Sequence, residues 1–171
     1  NQEVIVFFAA GNEGEGQDDG TGGQPFTIGS PGNAKNIVSV GAVEQPRYAD
    51  NMMNLILHRS GYADRDYNSR TNTDTDWQMA WFSSRGPVSA TDLRVKPDIV
   101  APGAYVLSIQ SHETMPDDYA GDPPILNNDY RFGNVNSGTN FAFFSGTSMA
   151  TPLAAGGAAL IYQYYTNAYG N

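Results

Sequence analysis

The residues best suited to chemistry lie near the C-terminal end, in Ser145-Gly146-Thr147-Ser148-Met149-Ala150-Thr151-Pro152. Ser148 is flanked by small residues where a polar turn enters an apolar, alanine-rich run. That arrangement predicts a hydroxyl at a helix N-terminus, where outward-pointing N–H groups and the helix dipole favour negative charge. The oxyanion of a tetrahedral intermediate is such a charge. Taken alone, Gly146-Thr147-Ser148 also fits an ordinary N-cap made by Thr147 or Ser148. Other clusters carry less. Asp18-Asp19-Gly20, Asp74-Thr75-Asp76 and Asp117-Asp118 are oxygen-rich, but none has the spacing of an EF-hand, which closes on a glutamate. They read as solvated acidic loops, and no metal ligand is assigned. Gly14-Glu15-Gly16 lacks the third glycine and the strand–helix context of a nucleotide loop. The absence of cysteine excludes thiolate zinc sites, disulfides and a cysteine nucleophile.

The elements that must position these residues are legible as apolar runs. Val4 to Ala10 is continuously apolar, which suits a strand buried on both faces, as in a parallel sheet. Gly11 to Gln24 is rich in glycine and acid and reads as a loop. Ile37 to Val43 predicts a second buried strand. Asp98-Ile99-Val100-Ala101 and Val106-Leu107-Ser108-Ile109 predict short strands around the turn Pro102-Gly103, and Phe141 to Phe144 is a last apolar run. The polar stretches at 44–78 and 111–140 predict surface excursions. Met149 to Tyr165 contains no charge and predicts a helix buried on most sides. Gly156-Gly157 within it costs roughly 1 kcal/mol per glycine, a cost expected to be offset by close packing of another backbone.

Composition narrows the partners. The 171 residues hold 18 acids and 9 bases, a formal charge of −9. An acidic chain with no basic run suits neither nucleic acid nor an anionic membrane. No apolar run approaches the roughly 20 residues that span a bilayer. The hydrophobic fraction of 40% is enough for a packed core, and the 19 glycines and 10 prolines point to a loop-rich fold. The chain opens with Asn1-Gln2-Glu3 and falls directly into a strand, which reads as a piece of a longer protein.

Gly-Thr-Ser-Met-Ala-Thr-Pro at 146–152 resembles the nucleophile motif of the subtilisin-like serine proteases, the subtilases. Four further segments resemble that family in the same order. Ala9-Ala10-Gly11-Asn12-Glu13-Gly14 resembles its oxyanion-hole segment. Thr27-Ile28-Gly29-Ser30-Pro31-Gly32 resembles a wall of its specificity pocket. Phe82-Ser83-Ser84-Arg85-Gly86-Pro87 and Lys96-Pro97-Asp98-Ile99-Val100-Ala101-Pro102-Gly103 complete the set. Ala34-Lys35-Asn36, Ser-Ser-Arg-Gly-Pro and Met-Ala-Thr-Pro are most similar to the bacterial oxidatively stable alkaline-protease branch.

The resemblance implies an α/β fold, the C-terminal half of a subtilisin-like three-layer architecture with a parallel sheet, and residues 1–171 as a partial catalytic domain. It implies Ser148 as nucleophile and Asn12 as side-chain donor of the oxyanion hole, acting with the Ser148 N–H. Ala9, Ala10 and Gly11 match one wall of the pocket for the side chain before the scissile bond, and Gly29, Ser30, Pro31 and Gly32 the opposite wall. These small residues would leave room for a large apolar or aromatic side chain, and no acid among them argues for a basic one. A cis bond is expected between Ser30 and Pro31. A polypeptide substrate and a secreted parent are implied, with no cofactor required; structural calcium, common in the family, stays open.

One departure is large. The family's catalytic Asp and His precede the oxyanion-hole asparagine, and no matching positions precede Asn12 here. His58 and His112 follow Asn12 and read as surface-loop residues rather than replacement bases. The expected activity, that of a serine endopeptidase, therefore belongs to a parent whose N-terminal half supplies the base, and this chain alone is expected to be inactive. The alternative is a protease-derived binding or assembly module without catalysis. The Val4–Ala9 edge, cut off from its neighbour, is expected to self-associate. A smaller departure is Leu153, where many subtilases carry histidine; it is expected to face the interior.

Overall fold

The computed structural model describes residues 4–17, 19–45, 75, 77–109 and 141–170. Most of the two polar stretches, with His58, His112, Asp74, Asp76, Asp117 and Asp118, lies outside the described residues, as does Asp18. Five strands and one helix follow in the order β1 (Phe7–Ala9), β2 (Val38–Val43), β3 (Ile99–Pro102), β4 (Val106–Ile109), β5 (Phe141–Phe144) and α1 (Thr147–Tyr169).

The first three strands form a parallel sheet in the order β1-β2-β3. Phe8 is in register with Ser39, and Gly41 with Val100. β2 is central, so its continuous apolar sequence is buried almost throughout. Val40, Ala42, Ala80, Phe82, Ala101 and Ala150 make the core, flanked by Phe7, Val38 and Ala154. α1 lies across β1, β2 and β3 on one face. The expected α/β architecture with a parallel sheet is therefore present.

Several expectations change. The Val4–Ala10 run gives only three residues of strand: the Val6 carbonyl accepts from Val38 N–H, but Val4 and Ile5 stand 67% and 68% exposed beside the sheet edge. β4 and β5 pair antiparallel with each other, Val106 opposite Phe144, in a separate two-stranded sheet. α1 extends to Tyr169, four residues past the apolar run, because Thr166 bonds back to the Tyr162 and Gln163 carbonyls and Gly170 closes the end. Within this helix only Thr147 and Ala150 are fully buried. Leu160, Ile161 and Tyr164 are largely exposed and Leu153 is 46% exposed, so neither the expected burial nor the inward-facing leucine is found. No atom lies within 4 Å of the Cβ position of Gly156 or Gly157, so no backbone packs there among the described residues.

No described helix is long and apolar enough to cross a membrane.

Candidate functional site

Two strand ends meet at the C-terminal edge of the sheet. β1 delivers Asn12 just beyond its last residue. β3 delivers Gly103, whose N–H donates to the Val43 carbonyl and whose carbonyl accepts from Gly146 N–H at 2.8 Å. Ser145 Oγ accepts from Tyr105 N–H at 2.9 Å. These bonds fix the point where α1 begins.

The N-cap is Gly146, not Thr147 or Ser148, and it has no side-chain capping bond. Its φ of 149° with ψ of 160° is a backbone region essentially restricted to glycine. The cap comes instead from a distant residue. Asn12 Oδ1 accepts from Thr147 N–H at 2.9 Å and from Thr147 Oγ1 at 3.0 Å. Thr147 Oγ1 in turn accepts from Gly11 N–H at 3.2 Å. Thr147 is completely buried while Gly11 is half-buried and Asn12 exposed, so this small network ties the helix start to the strand end at the border with solvent.

The consequence is orientational. With Oδ1 held by two donors, the Asn12 amide is fixed and Nδ2 faces the other way. A Cβ placed on Gly146 would stand 3.6 Å from Asn12 Nδ2 and 3.7 Å from Ser148 N. The two donors therefore flank one point. The Ser148 N–H belongs to the first turn, where no intrahelical acceptor exists. Ser148 itself is exposed. It opens on an apolar groove of about 510 Å³ lined by Val4 to Ala9 on one side and Thr151, Pro152 and Ala155 of α1 on the other. Pro152 has no N–H for the Ser148 carbonyl.

The segments expected as pocket walls are direct neighbours. Gly29 N–H donates to the Ala10 carbonyl at 3.0 Å, and a Cβ on Gly32 would stand 2.7 Å from the Ala9 carbonyl oxygen. Gly29, Ser30 and Pro31 are exposed while Ala10 and Gly32 are buried, and the Ser30–Pro31 bond is cis. Among these residues Ala9–Gly11 and Gly29–Gly32 form one continuous corner with its open side at Gly29–Pro31.

A third segment, unassigned from the sequence beyond its resemblance, holds the other two. Ser83 Oγ accepts from Ala42 N–H in the central strand. Ser84 N–H donates to the Gly11 carbonyl, and Ser84 Oγ accepts from Glu13 N–H and donates to Glu13 Oε2. Arg85 N–H donates to Thr27 Oγ1 at 2.8 Å. A polar pair in a motif of small residues was the available signal for such tethering. Among the described residues no three His, Asp or Glu side chains gather closely enough to hold a metal.

The sequence profile of the subtilase family, Peptidase S8, matches residues 1–171. Serine protease AprX of Bacillus subtilis is 33% identical over 160 residues, covering 94% of this chain and 26% of that protein. Pyrolysin of Pyrococcus furiosus is 32% identical over 158 residues, covering 92% of this chain and 9% of that protein. Among solved structures, the Clostridium perfringens CspB protease is 23% identical with a TM-score of 0.44, covering 85% of this chain and 19% of that one. The chain thus spans about a quarter or less of each of these proteins. With its profile matched from end to end, this chain belongs to the subtilase family.

Proposed function

We propose that this chain carries the nucleophile and oxyanion hole of a secreted serine endopeptidase acting on polypeptides. Ser148 Oγ attacks the scissile carbonyl carbon while a histidine, oriented by an aspartate, takes its proton. Both groups come from residues outside these 171, reaching Ser148 from the side of the apolar groove. The oxyanion is held by Asn12 Nδ2 and Ser148 N–H. The C–N bond then breaks as the histidine returns the proton to the leaving amine, and water releases the acyl group by the same route. Ala9–Gly11 and Gly29–Gly32 receive the side chain before the scissile bond, with room for an apolar or aromatic group. No cofactor is required, and calcium, if bound, is structural.

The observation that carries this reading is the double hold of Thr147 on Asn12 Oδ1, which turns Nδ2 and the Ser148 N–H toward one point. A serine lacking a bonded base is a weak nucleophile, so the chain alone should be silent. A fluorophosphonate probe tests this. Labelling of wild type but not Ser148→Ala, only in the presence of the preceding part of the domain, supports the enzyme. No labelling in the complete protein supports the alternative, a protease-derived module used for binding or assembly.

A further inference from the structure

Asn12 sits on a loop with little side-chain mass to hold it. From Gly11 to Gly23 the chain is mostly glycine and acid, so few of its own side chains can pack to hold it. Arg85 lies across this loop. Its Nη1 donates to the Gly14 carbonyl at 3.4 Å and its Nη2 to the Gly20 carbonyl at 3.2 Å. A Cβ on Gly16 or on Gly23 would overlap the guanidinium, so these two glycines form the slot it occupies. Burial pulls the Arg85 pKa down because desolvation disfavours the charged form, although it stays charged. The backbone of the same residue bonds Thr27 in both directions, through Arg85 N–H to Thr27 Oγ1 and Thr27 N–H to the Arg85 carbonyl at 3.0 Å. Thr27 leads directly into Gly29–Gly32.

Asn12 is thus suspended between two fixed points. On one side Gly11 is held by Thr147 and Ser84, and Ser84 also holds Glu13 through its N–H and carboxylate. Gly14 is held through its N–H by the Phe82 carbonyl at 2.9 Å and through its carbonyl by Gln24 N–H and Arg85. We propose that Arg85 is a positioning residue for the reaction: its fork across Gly14 and Gly20 holds the backbone that carries Asn12, whose amide Thr147 orients, and it acts on catalysis only through that amide. The proposal rests on the oxyanion role given to Asn12 above. Lysine, a point charge on a flexible stem, cannot bridge two carbonyls in a fixed plane.

The test is a double-mutant cycle in the complete protein, read as kcat and KM on a chromogenic peptide. Arg85→Met is expected to lower kcat about 10- to 100-fold with KM little changed, less than the ~10²–10³ of removing an oxyanion donor outright. Arg85→Lys should recover only part. Gly16→Ala, which puts a methyl group into the guanidinium slot without a positive φ, should reproduce the loss, and it carries the same cycle if Arg85→Met fails to fold. In an Asn12→Ala background, Arg85→Met should cost little more. A full additional loss in that background, or a raised KM at unchanged kcat, overturns the proposal while leaving the oxyanion reading intact. An Asn12→Ala variant with unchanged kcat instead overturns that reading, and this proposal with it.

Discussion

Replacing Thr147 by valine isolates the contact on which the site depends. The side chain is fully buried and valine has nearly its shape, so no cavity opens. Two hydrogen bonds disappear: Oγ1 to Asn12 Oδ1 at 3.0 Å and Gly11 N–H to Oγ1 at 3.2 Å. A neutral hydrogen bond contributes ~0.5–1.5 kcal/mol, and a donor left facing a methyl group costs ~1–3 kcal/mol. Gly11 is only partly buried, so the lower part of that range applies. The expected loss is about 2 kcal/mol, seen as a lower urea midpoint at unchanged slope. Asn12 Oδ1 keeps its bond from Thr147 N–H at 2.9 Å, so the amide loses one of two restraints. In the complete protein kcat should therefore fall by about tenfold, less than for Asn12→Ala. Thr147→Ser should restore most of both. A valine variant as stable as the parent would refute the energetic argument. One whose kcat falls as far as that of Asn12→Ala would show that the backbone bond alone does not hold the amide.

Three further outcomes are expected. Gly146→Ala places a methyl against both proposed donors and forces a non-glycine residue into a glycine-only region, so it should destabilise by ~1–3 kcal/mol and abolish most turnover, read by denaturation and by peptide hydrolysis. Burial raises the Asp98 pKa, but its bond from Lys96 Nζ, the Ser39 N–H and the charges of Lys96 and Arg94 outweigh this and leave it below its ordinary value. Its folded pKa being depressed, the stability it contributes is present above about pH 4 and is lost as pH falls through the folded value. Asp98→Asn should flatten the acid limb of a stability–pH curve, and an unchanged limb would count against the pairing. Finally, the chain alone should self-associate through the Val4–Ala9 edge. Sedimentation should show oligomers that Phe8→Lys disperses, and a concentration-independent monomer would remove the idea.

What could be read from sequence was whatever is set by a local run. Val38–Val43 is apolar at every turn of the chain except Ser39 and Gly41, and it is the central strand. The glycine, threonine and serine before an uncharged alanine run mark a helix start, and Ser148 is its second residue. Pairings across long separations were not legible. Nothing in Phe141–Phe144 says that it lies antiparallel to Val106–Ile109, because periodicity reports burial and not partner. The lack of charge in Met149–Tyr165 says that this helix favours an apolar cover but not which chain segment supplies it, and Leu160 and Ile161 stand exposed here. The role of Arg85 was hidden for a similar reason. The glycines of Gly11–Gly23 read as loop, and only their approach to a side chain about 65 residues away reveals that two of them make room for a guanidinium.

The bond from Thr147 N–H to Asn12 spans 135 residues of sequence. Closing a loop of that length costs on the order of 4 kcal/mol of chain entropy beyond the fixed cost of ordering its ends. That entropy has to be met before a contact of such separation repays it, so the local turns and nearer strand pairings are expected to form first. The amide that would hold the oxyanion and the serine that would attack are therefore strangers for most of the folding reaction. For the peptidase proposed above, this timing would be protective. The half-folded chain, with its backbone open and most easily cut, is also the one in which no cutting machinery has been assembled.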